Sequence, residues 1–177
     1  MQAPVPAPDS LWDFSLALYA QPGVADCCLR LQDEQGVNVN MLLWCCWLGV
    51  QGYVLDQPRL ADAQVRIRTW NANYIEPLRN LRRQMKAEFG VGDEGIESVR
   101  AHIKQAELQA ERQLLYWLEL QVQTWGSAPR SDPATAPEKN LHFYLHTSGV
   151  ADSAIAQALT VIGAACVCRT SVSQERG

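Results

Sequence analysis

Residues 31–52, LQDEQGVNVNMLLWCCWLGVQG, contain a polar patch followed directly by an almost unbroken apolar run. Gly36 is a natural helix C-cap and Asn38 a good N-cap, so this stretch predicts the end of one helix and the start of another. The second of these helices covers residues 39–51, and Gly52 ends it. Because it is apolar nearly all round, other helices must cover it on several sides. We therefore predict that it is the central helix of a bundle.

Two further helices precede the central helix. Asp9 or Ser10 can cap the first, residues 11–20, and the Gln-Pro-Gly break at residues 21–23 separates it from the second. The second helix carries apolar residues along one stripe and ends at Gly36. Residues 1–9, with three prolines, are predicted to be disordered.

Downstream of the central helix, apolar residues recur at steps of three and four, which indicates one long amphipathic helix facing a core. They are Leu60, Ala63, Ile67, Trp70, Tyr74, Leu78, Leu81 and Met85. Since proline lacks a backbone donor, Pro77 should kink or divide this helix near Asn73. Gly90 and Gly92 end it. Another long helix covers about residues 93–125, so the two form an antiparallel hairpin.

The C-terminal part is richer in turn-forming residues. Residues 126–137, GSAPRSDPATAP, indicate a flexible linker. Residues 138–177 are predicted to form a helical extension with a frayed end, and the sequence leaves open whether it docks on the bundle. The predicted fold is therefore all-α, with a single bundle of about five core helices over residues 10–125 and this C-terminal extension.

Composition and charge narrow the classes of function. The formal net charge of -4 argues against a general nucleic-acid or anionic-membrane binder, because such proteins usually carry a basic excess. The longest apolar run, residues 41–50, has about half the ~20 residues needed to cross a bilayer. No basic and apolar leader of the secretory type is visible. We expect a soluble cytoplasmic protein that binds neither nucleic acid nor membrane.

Cysteines and histidines are the candidates for metal binding. The six cysteines are Cys27, Cys28, Cys45, Cys46, Cys166 and Cys168. Adjacent cysteines on a helix point about 100° apart and cannot readily hold one ion together, so we expect reduced core thiols. His142 and His146 have the spacing of a helical metal pair but lack the glutamate of H-E-x-x-H, and we interpret them as a surface pair. We predict no metal and no cofactor.

A basic stripe is the first candidate for a binding site. Its members, at positions i, i+3, i+4 and i+7 of the long helix, are Arg79, Arg82, Arg83 and Lys86. Guanidinium groups grip carboxylate or phosphate with two parallel hydrogen bonds, which favours an anion site or a docking strip for an acidic partner. The alternative is a solvated helix face whose charges suit the C-terminal end of the helix dipole.

The polar patch ahead of the central helix is the second candidate. It consists of Gln32, Asp33, Asn38 and Asn40. Asp33 lies in the last turn of a helix, where an acid is unfavourable to the dipole, so it requires a partner. That partner is either the backbone at the start of the next helix or an arginine of the basic stripe. The patch is therefore either a clasp that holds the turn or part of a ligand site.

Several runs carry a resemblance to a known family. They are L-W-D-F-S-L-A-L-Y, L-Q-D-x-x-G-V-N-V-N, L-L-W-x-x-W-L-G and P-L-R-x-L-R-R. Together they resemble a family of bacterial conserved hypothetical proteins described only as a domain of unknown function, over roughly residues 11–125. The resemblance implies a small, soluble, mainly helical cytoplasmic protein, and it carries no catalytic residue over to this chain.

From these features we predict a non-enzymatic interaction or regulatory protein. It would bind a protein partner through the basic stripe and nearby aromatic residues such as Trp12 and Trp70. The alternative is a protein, with catalysis left open, that binds a small anionic ligand where the polar patch meets Trp70, Tyr74 and the arginines. An exposed stripe beside an apolar surface favours the first, and a concave pocket that joins the patch to an arginine favours the second.

Overall fold

The computed structural model describes residues 10–126 and 130–166, and the regular secondary structure within these ranges is helical. The helices are α1 (Leu11–Tyr19), α2 (Val24–Gln35), α3 (Val39–Val50), α4 (Gln57–Trp70), α5 (Glu76–Phe89), α6 (Glu94–Val122), α7 (Ala136–Thr147) and α8 (Asp152–Ala158). Two π-helical segments, Asn71–Ile75 and Leu159–Gly163, directly follow α4 and α8. The all-α prediction is confirmed. Among the described residues, no helix has the length and apolar character required to cross a membrane.

The central helix lies where the sequence predicts it. The Oδ1 of Asn38 accepts a hydrogen bond from the backbone N of Met41 at 3.2 Å and caps α3. Gly36, at a left-handed φ of 67°, ends α2. The ten residues of α3 from Asn40 to Gly49 are buried, and α1, α2, α6 and α7 pack against the helix. Side chains from all sides of α3 therefore enter the core.

The C-terminal extension docks on this core through α7, which answers the question that the sequence left open. A Cβ added to Gly49 would lie 2.3 Å from the Cα of Pro137, so the two helices cross almost in backbone contact. The buried side chain of Asn140 accepts from the backbone N of Leu55 at 2.9 Å. Its amide group donates to the carbonyl oxygens of Tyr53 and Cys45, at 2.8 and 3.3 Å.

The predicted linker differs from the structure at its C-terminal end. Ala136 and Pro137 are buried residues in the first turn of α7, because the close crossing with α3 needs their small or compact side chains. Ahead of them, the backbone N of Ser131 donates to the carbonyl oxygen of Gly52 at 2.9 Å. The predicted disordered residues 1–9 and the predicted frayed end of the chain lie outside the described residues.

The long amphipathic helix is divided close to the predicted position. The π-helical segment Asn71–Ile75, here called the π turn, separates α4 from α5, and Pro77 lies in the first turn of α5. A π turn holds one extra residue and rotates the following face by about 100°. Ile75 is therefore buried instead of Tyr74, which is half exposed. The predicted apolar face is thus wrong at Tyr74 and Leu81, whereas Leu78 packs against the core.

The α5–α6 hairpin also forms as predicted, but its distal half has little cover. Residues 76–106, here called the arm, comprise all of α5, the connecting loop and the first half of α6, and none of their side chains is buried. Burial in α6 begins at Glu107. The base of the hairpin therefore packs into the bundle, whereas the arm is covered mainly by its own two helices.

The cysteines that the structure describes are reduced and buried, as predicted: Cys27, Cys28, Cys45, Cys46 and Cys166. Burial raises the pKa of the Cys28 thiol to about 12. Cys168 lies outside the described residues. His142 and His146 are exposed and their rings stack, with centroids 5.9 Å apart. The described residues contain no group of three or more side chains suited to hold a metal ion.

Candidate functional site

A groove of about 480 Å³ lies between α1, α2, α3 and the α5–α6 hairpin. Its polar lining consists of Ser15, Gln32, Asn40, Arg79, Arg82, Arg83, Lys104, Glu107 and Glu111. Its apolar lining comes mainly from α1, α3 and α6 and includes Trp12, Leu16, Tyr19, Leu29, Val39, Leu43, Leu108 and Leu115. Small-molecule pockets typically measure about 300–1,000 Å³ and combine an apolar wall with a few convergent polar groups. The groove has both properties.

Two glutamates of α6 fix two arginines of α5 inside the groove. The Nε of Arg79 donates to Glu107 at 3.0 Å, and its Nη2 donates to Glu111 at 2.7 Å. Arg82 donates to both oxygens of Glu107, from Nε at 2.8 Å and from Nη2 at 3.3 Å. Among the residues that the structure describes, the Nη1 group of neither arginine donates a hydrogen bond. The arginines are therefore oriented before any ligand arrives.

The two glutamates differ in how easily they take up a proton. Burial acts to raise the pKa of Glu107, but the hydrogen bonds from Arg82 and Arg79 outweigh it and hold that pKa below its ordinary value. Burial raises the pKa of Glu111, and the charge of Arg79 offsets only part of this effect. Glu107 is therefore a fixed negative charge, whereas Glu111 protonates more readily.

An exposed ion pair lies at the rim of the groove. The Nη2 of Arg83 donates to the Oδ1 of Asp33 at 2.8 Å, and both side chains are about half exposed. The hydrogen bond from Arg83 lowers the pKa of Asp33. Asp33 thus has an arginine of the basic stripe as its partner, and the pair joins α2 to α5. Exposed pairs of this kind contribute less than about 1 kcal/mol to stability, so its main effect is to position Arg83.

The groove contains polar groups without partners and a surplus of positive charge. Ser15 is only 3% exposed, and its hydroxyl has no hydrogen-bond partner within the described part of the chain. Lys104 is exposed and takes no part in the ion pairs of the groove. Four cationic side chains but only two carboxylates line the groove. It is therefore locally positive, although the formal net charge of the chain is -4.

The structure brings some of the predicted site residues together and separates others. Those that line the groove are Gln32, Asn40, Arg79, Arg82 and Arg83. Asn38 instead caps α3, and its carbonyl oxygen accepts from the hydroxyl of Tyr144 at 3.2 Å. Part of the polar patch is therefore a clasp and part lines the groove.

The predicted aromatic members lie elsewhere. Trp70 packs between Tyr74 and Trp117, with ring centroids 4.6 and 5.0 Å away, and its Nε1 donates to the carbonyl oxygen of Ala110 at 2.9 Å. Neither Trp70 nor Tyr74 lines the groove, since the π turn rotates α5 relative to α4. Lys86 is exposed and also lies outside the groove lining. Trp12, named among the aromatics near the stripe, does line it.

Sequence reasoning missed Ser15, Tyr19, Lys104, Glu107 and Glu111 as groove residues. A signal for the glutamates was nevertheless present, because residues equally far from the loop of an antiparallel hairpin lie opposite each other. Since α5 ends at Phe89 and α6 begins at Glu94, the position opposite Arg79 is Lys104, and the nearest acidic residue to it is Glu107, about one turn further on. Matching the basic stripe against the acidic residues of the partner helix in this way makes Glu107 the first candidate partner of Arg79.

A family model described as "Protein of unknown function (DUF2390)" matches residues 10–118, which is more than half of the chain. The match begins just before α1 and ends within α6, so it includes every residue that lines the groove. No curated protein and no solved structure matches the chain. The comparisons therefore assign a family but no chemistry, so the ligand of the groove has to be inferred from the geometry of the site.

Proposed function

The chain belongs to this family of unknown function, and we propose that it binds a small amphipathic anion in the groove. The observation that carries the proposal is the convergence of three arginines and Lys104 beside an apolar wall in one concave site. Such a ligand has a carboxylate, sulfonate or monophosphate head and an aromatic or aliphatic body.

The two halves of the ligand match two parts of the groove. The head lies near Arg83 and Lys104: Lys104 takes no part in the ion pairs of the groove, and Asp33, the partner of Arg83, lies at the exposed rim. The body packs against side chains of α1 and α3 such as Trp12, Leu16 and Leu43. Because Glu107 and Glu111 add negative charge to the same site, a polyphosphate is disfavoured relative to a singly charged head.

Prior orientation supports tight binding by this site. Arginine side chains lose much conformational freedom when a ligand immobilises them. Here Glu107 and Glu111 already hold Arg79 and Arg82, so much of that cost falls on folding and not on binding. The unused Nη1 groups remain as donors toward the ligand.

A protein partner that docks on the basic stripe is the second candidate function. The observation in its favour is that Arg83 and Lys86 are exposed on the same helix as the exposed ring of Phe89. Lys86 separates the two candidates, because it belongs to the stripe but does not line the groove.

The proposal is tested by titrating the protein with 1-anilinonaphthalene-8-sulfonate, an aromatic sulfonate whose fluorescence rises on binding. We expect saturable binding to the wild type. Arg83→Gln and Lys104→Gln should each raise the dissociation constant about tenfold, since each removes one charge-assisted contact. Lys86→Gln should leave it unchanged.

Folding is checked in parallel by circular dichroism and urea midpoints, because partly unfolded proteins also bind this dye. Neither Arg83 nor Lys104 has a buried partner that its loss would leave uncompensated, so all three variants should fold. Equal dye affinity in wild type, Arg83→Gln and Lys104→Gln would exclude the groove as the site. An equally large loss in Lys86→Gln and Arg83→Gln, with Lys104→Gln unaffected, would favour the stripe instead.

A further inference from the structure

The arm has an exposed surface that faces away from the groove. It consists of one row on each helix, at spacings of four, three and four residues. The rows are Pro77, Leu81, Gln84 and Glu88 on α5, and Gly95, Val99, His102 and Ala106 on α6. All eight residues are exposed, and Leu81 and Val99 are large apolar side chains with 46% and 49% of their surface accessible. We call this surface the outer face.

Helical geometry places both rows on one side of the hairpin. At about 100° per residue, the members of each row lie within a sector of roughly 60°. In an antiparallel pair, these two sectors point in the same direction and away from Arg79, Arg83 and Lys104. The groove lining contains none of the eight residues. The outer face and the groove are therefore on opposite sides of the hairpin.

The outer face also differs from the groove side in charge. It contains no lysine or arginine, and Glu88 is its one carboxylate. The other side of the same segment carries most of its charges, among them Arg79, Arg82, Arg83, Lys86 and Lys104. Depletion of charge on an exposed helical surface with apolar side chains at its centre is typical of a helix–helix interface.

We propose that the outer face binds the outer face of a second copy of this chain, so that two arms form an antiparallel four-helix bundle. In a two-fold contact, residue i of one copy meets residue j of the other and the reverse, so the surface has to be self-complementary. The outer face carries no cation, and its one carboxylate, Glu88, lies at the end of its row and away from the centre of the contact. Leu81 and Val99 are the large side chains at the contact, while Gly95 and Ala106 leave room for those of the other copy.

The weak internal support of the arm indicates why this partner is another copy. Helices of about 12–15 residues are marginal in water without tertiary packing, and no residue of the arm is buried. A partner that completes the fold of the arm has to be present whenever the chain is present, and a second copy meets this condition. The groove lies on the opposite side and stays open in the dimer.

Analytical ultracentrifugation of the full chain over a concentration series tests the proposal. The wild type should sediment with the mass of two chains. Leu81→Glu and Val99→Glu should each raise the dimer dissociation constant at least about 100-fold, because two charges enter an apolar contact in every dimer. Both residues are exposed in the single chain, so the variants should keep wild-type circular dichroism.

Lys86→Glu is the matched control, since it puts the same side chain on the other side of α5 and should leave the dimer unchanged. A monomeric wild type at every concentration overturns the proposal, and so does a dimer that survives both glutamate variants or is lost in Lys86→Glu. A monomer that captures a different protein through Leu81 is also an overturning result. Dye binding to Leu81→Glu should match the wild type, which keeps this test separate from that of the groove.

Discussion

Helices α3 and α5 have similar lengths, twelve and fourteen residues, but they are held in the molecule by opposite means. Ten residues of α3 are buried, and no residue of α5 is. Apolar packing and the close crossing with α7 hold α3, whereas ion pairs from Arg79 and Arg82 to α6 hold α5. We therefore expect substitutions around α3 to change mainly the stability of the fold, and substitutions around α5 to change mainly the charge of the groove.

The largest expected effect comes from the crossing of α3 and α7. In Gly49→Ala the new Cβ would lie 2.3 Å from the Cα and N of Pro137, which are backbone atoms that cannot move aside cheaply. Alanine gains about 1 kcal/mol in helix propensity, but the clash should outweigh it and lower the free energy of unfolding by about 3 kcal/mol or more. Urea denaturation measures the change.

Gly95→Ala is the control for Gly49→Ala, because it makes the same change in an exposed helical position of the arm. Since Gly95 lies on the outer face, both variants are measured on protein dilute enough to be monomeric. The nearest atom to its new Cβ is a carboxylate oxygen of Asp93 at 3.3 Å, on a side chain that can shift. We expect a change of less than about 1 kcal/mol. Similar effects of the two substitutions would remove the contrast between the α3 core and the arm.

Asn140→Ala should have the next largest effect. It leaves the buried carbonyl oxygen of Cys45, the partly buried carbonyl oxygen of Tyr53 and the buried backbone N of Leu55 without their side-chain partner. An unsatisfied buried group costs about 1–3 kcal/mol, and partial relaxation should limit the total loss of unfolding free energy to about 3 kcal/mol. The exposed Asn80→Ala on α5 should change it by less than about 0.5 kcal/mol. A thermal or urea midpoint of Asn140→Ala equal to that of wild type would contradict this account.

The smallest effect is expected for the glutamates that hold α5. Glu107→Gln weakens the bonds to Arg79 and Arg82 and should lower the free energy of unfolding by about 2 kcal/mol at neutral pH. The pKa of Glu107 is lower in the folded state, so its stabilisation is present above its ordinary pKa and is lost as the pH falls through the folded pKa. The difference between wild type and Glu107→Gln should therefore shrink in acid.

Glu111→Gln should behave in the opposite way. The pKa of Glu111 is raised by burial, so its contribution favours folding below its ordinary pKa and is lost as the pH rises through the folded pKa. The glutamine variant, which has no charge to bury, should be as stable as wild type at neutral pH or slightly more stable. Urea unfolding at neutral pH and at about pH 4 distinguishes the two variants. If the free energy of unfolding depended on pH in the same way in both variants, the opposite pKa shifts of Glu107 and Glu111 would be contradicted.

The contrast between α3 and α5 also shows which features of the fold can be predicted from the sequence. Local signals predicted the caps at Gly36 and Asn38, and the apolar run of residues 41–50 predicted the buried central helix. These signals are short in range and depend on few residues. To predict which face of α5 is buried, one has to know how many residues the turn before it contains. Periodicity alone does not reveal the extra residue between Trp70 and Pro77.

The groove was only partly predictable for a related reason. The spacing of the basic stripe identifies Arg79 as a candidate binding residue. Its partners Glu107 and Glu111 lie close to it only after the hairpin closes. Ser15 and Tyr19 come from α1, which approaches the hairpin through tertiary packing that no local pattern encodes. The docking of α7 depends in the same way on the contact between Gly49 and Pro137.

The π turn sets which face of α5 meets α6, so the groove depends on backbone hydrogen bonding at residues 71–75 as well as on side chains. Because the π turn already absorbs one extra residue, deleting a single residue from 71–74 would leave a continuous α-helix in which Arg79 and Arg82 keep their orientation toward Glu107. Winding the same residues into a regular α-helix without a deletion would instead rotate α5 by about 100°. Arg79 and Arg82 would then point away from Glu107, and Leu81 would take an inner position, although no side chain of α5 had been substituted.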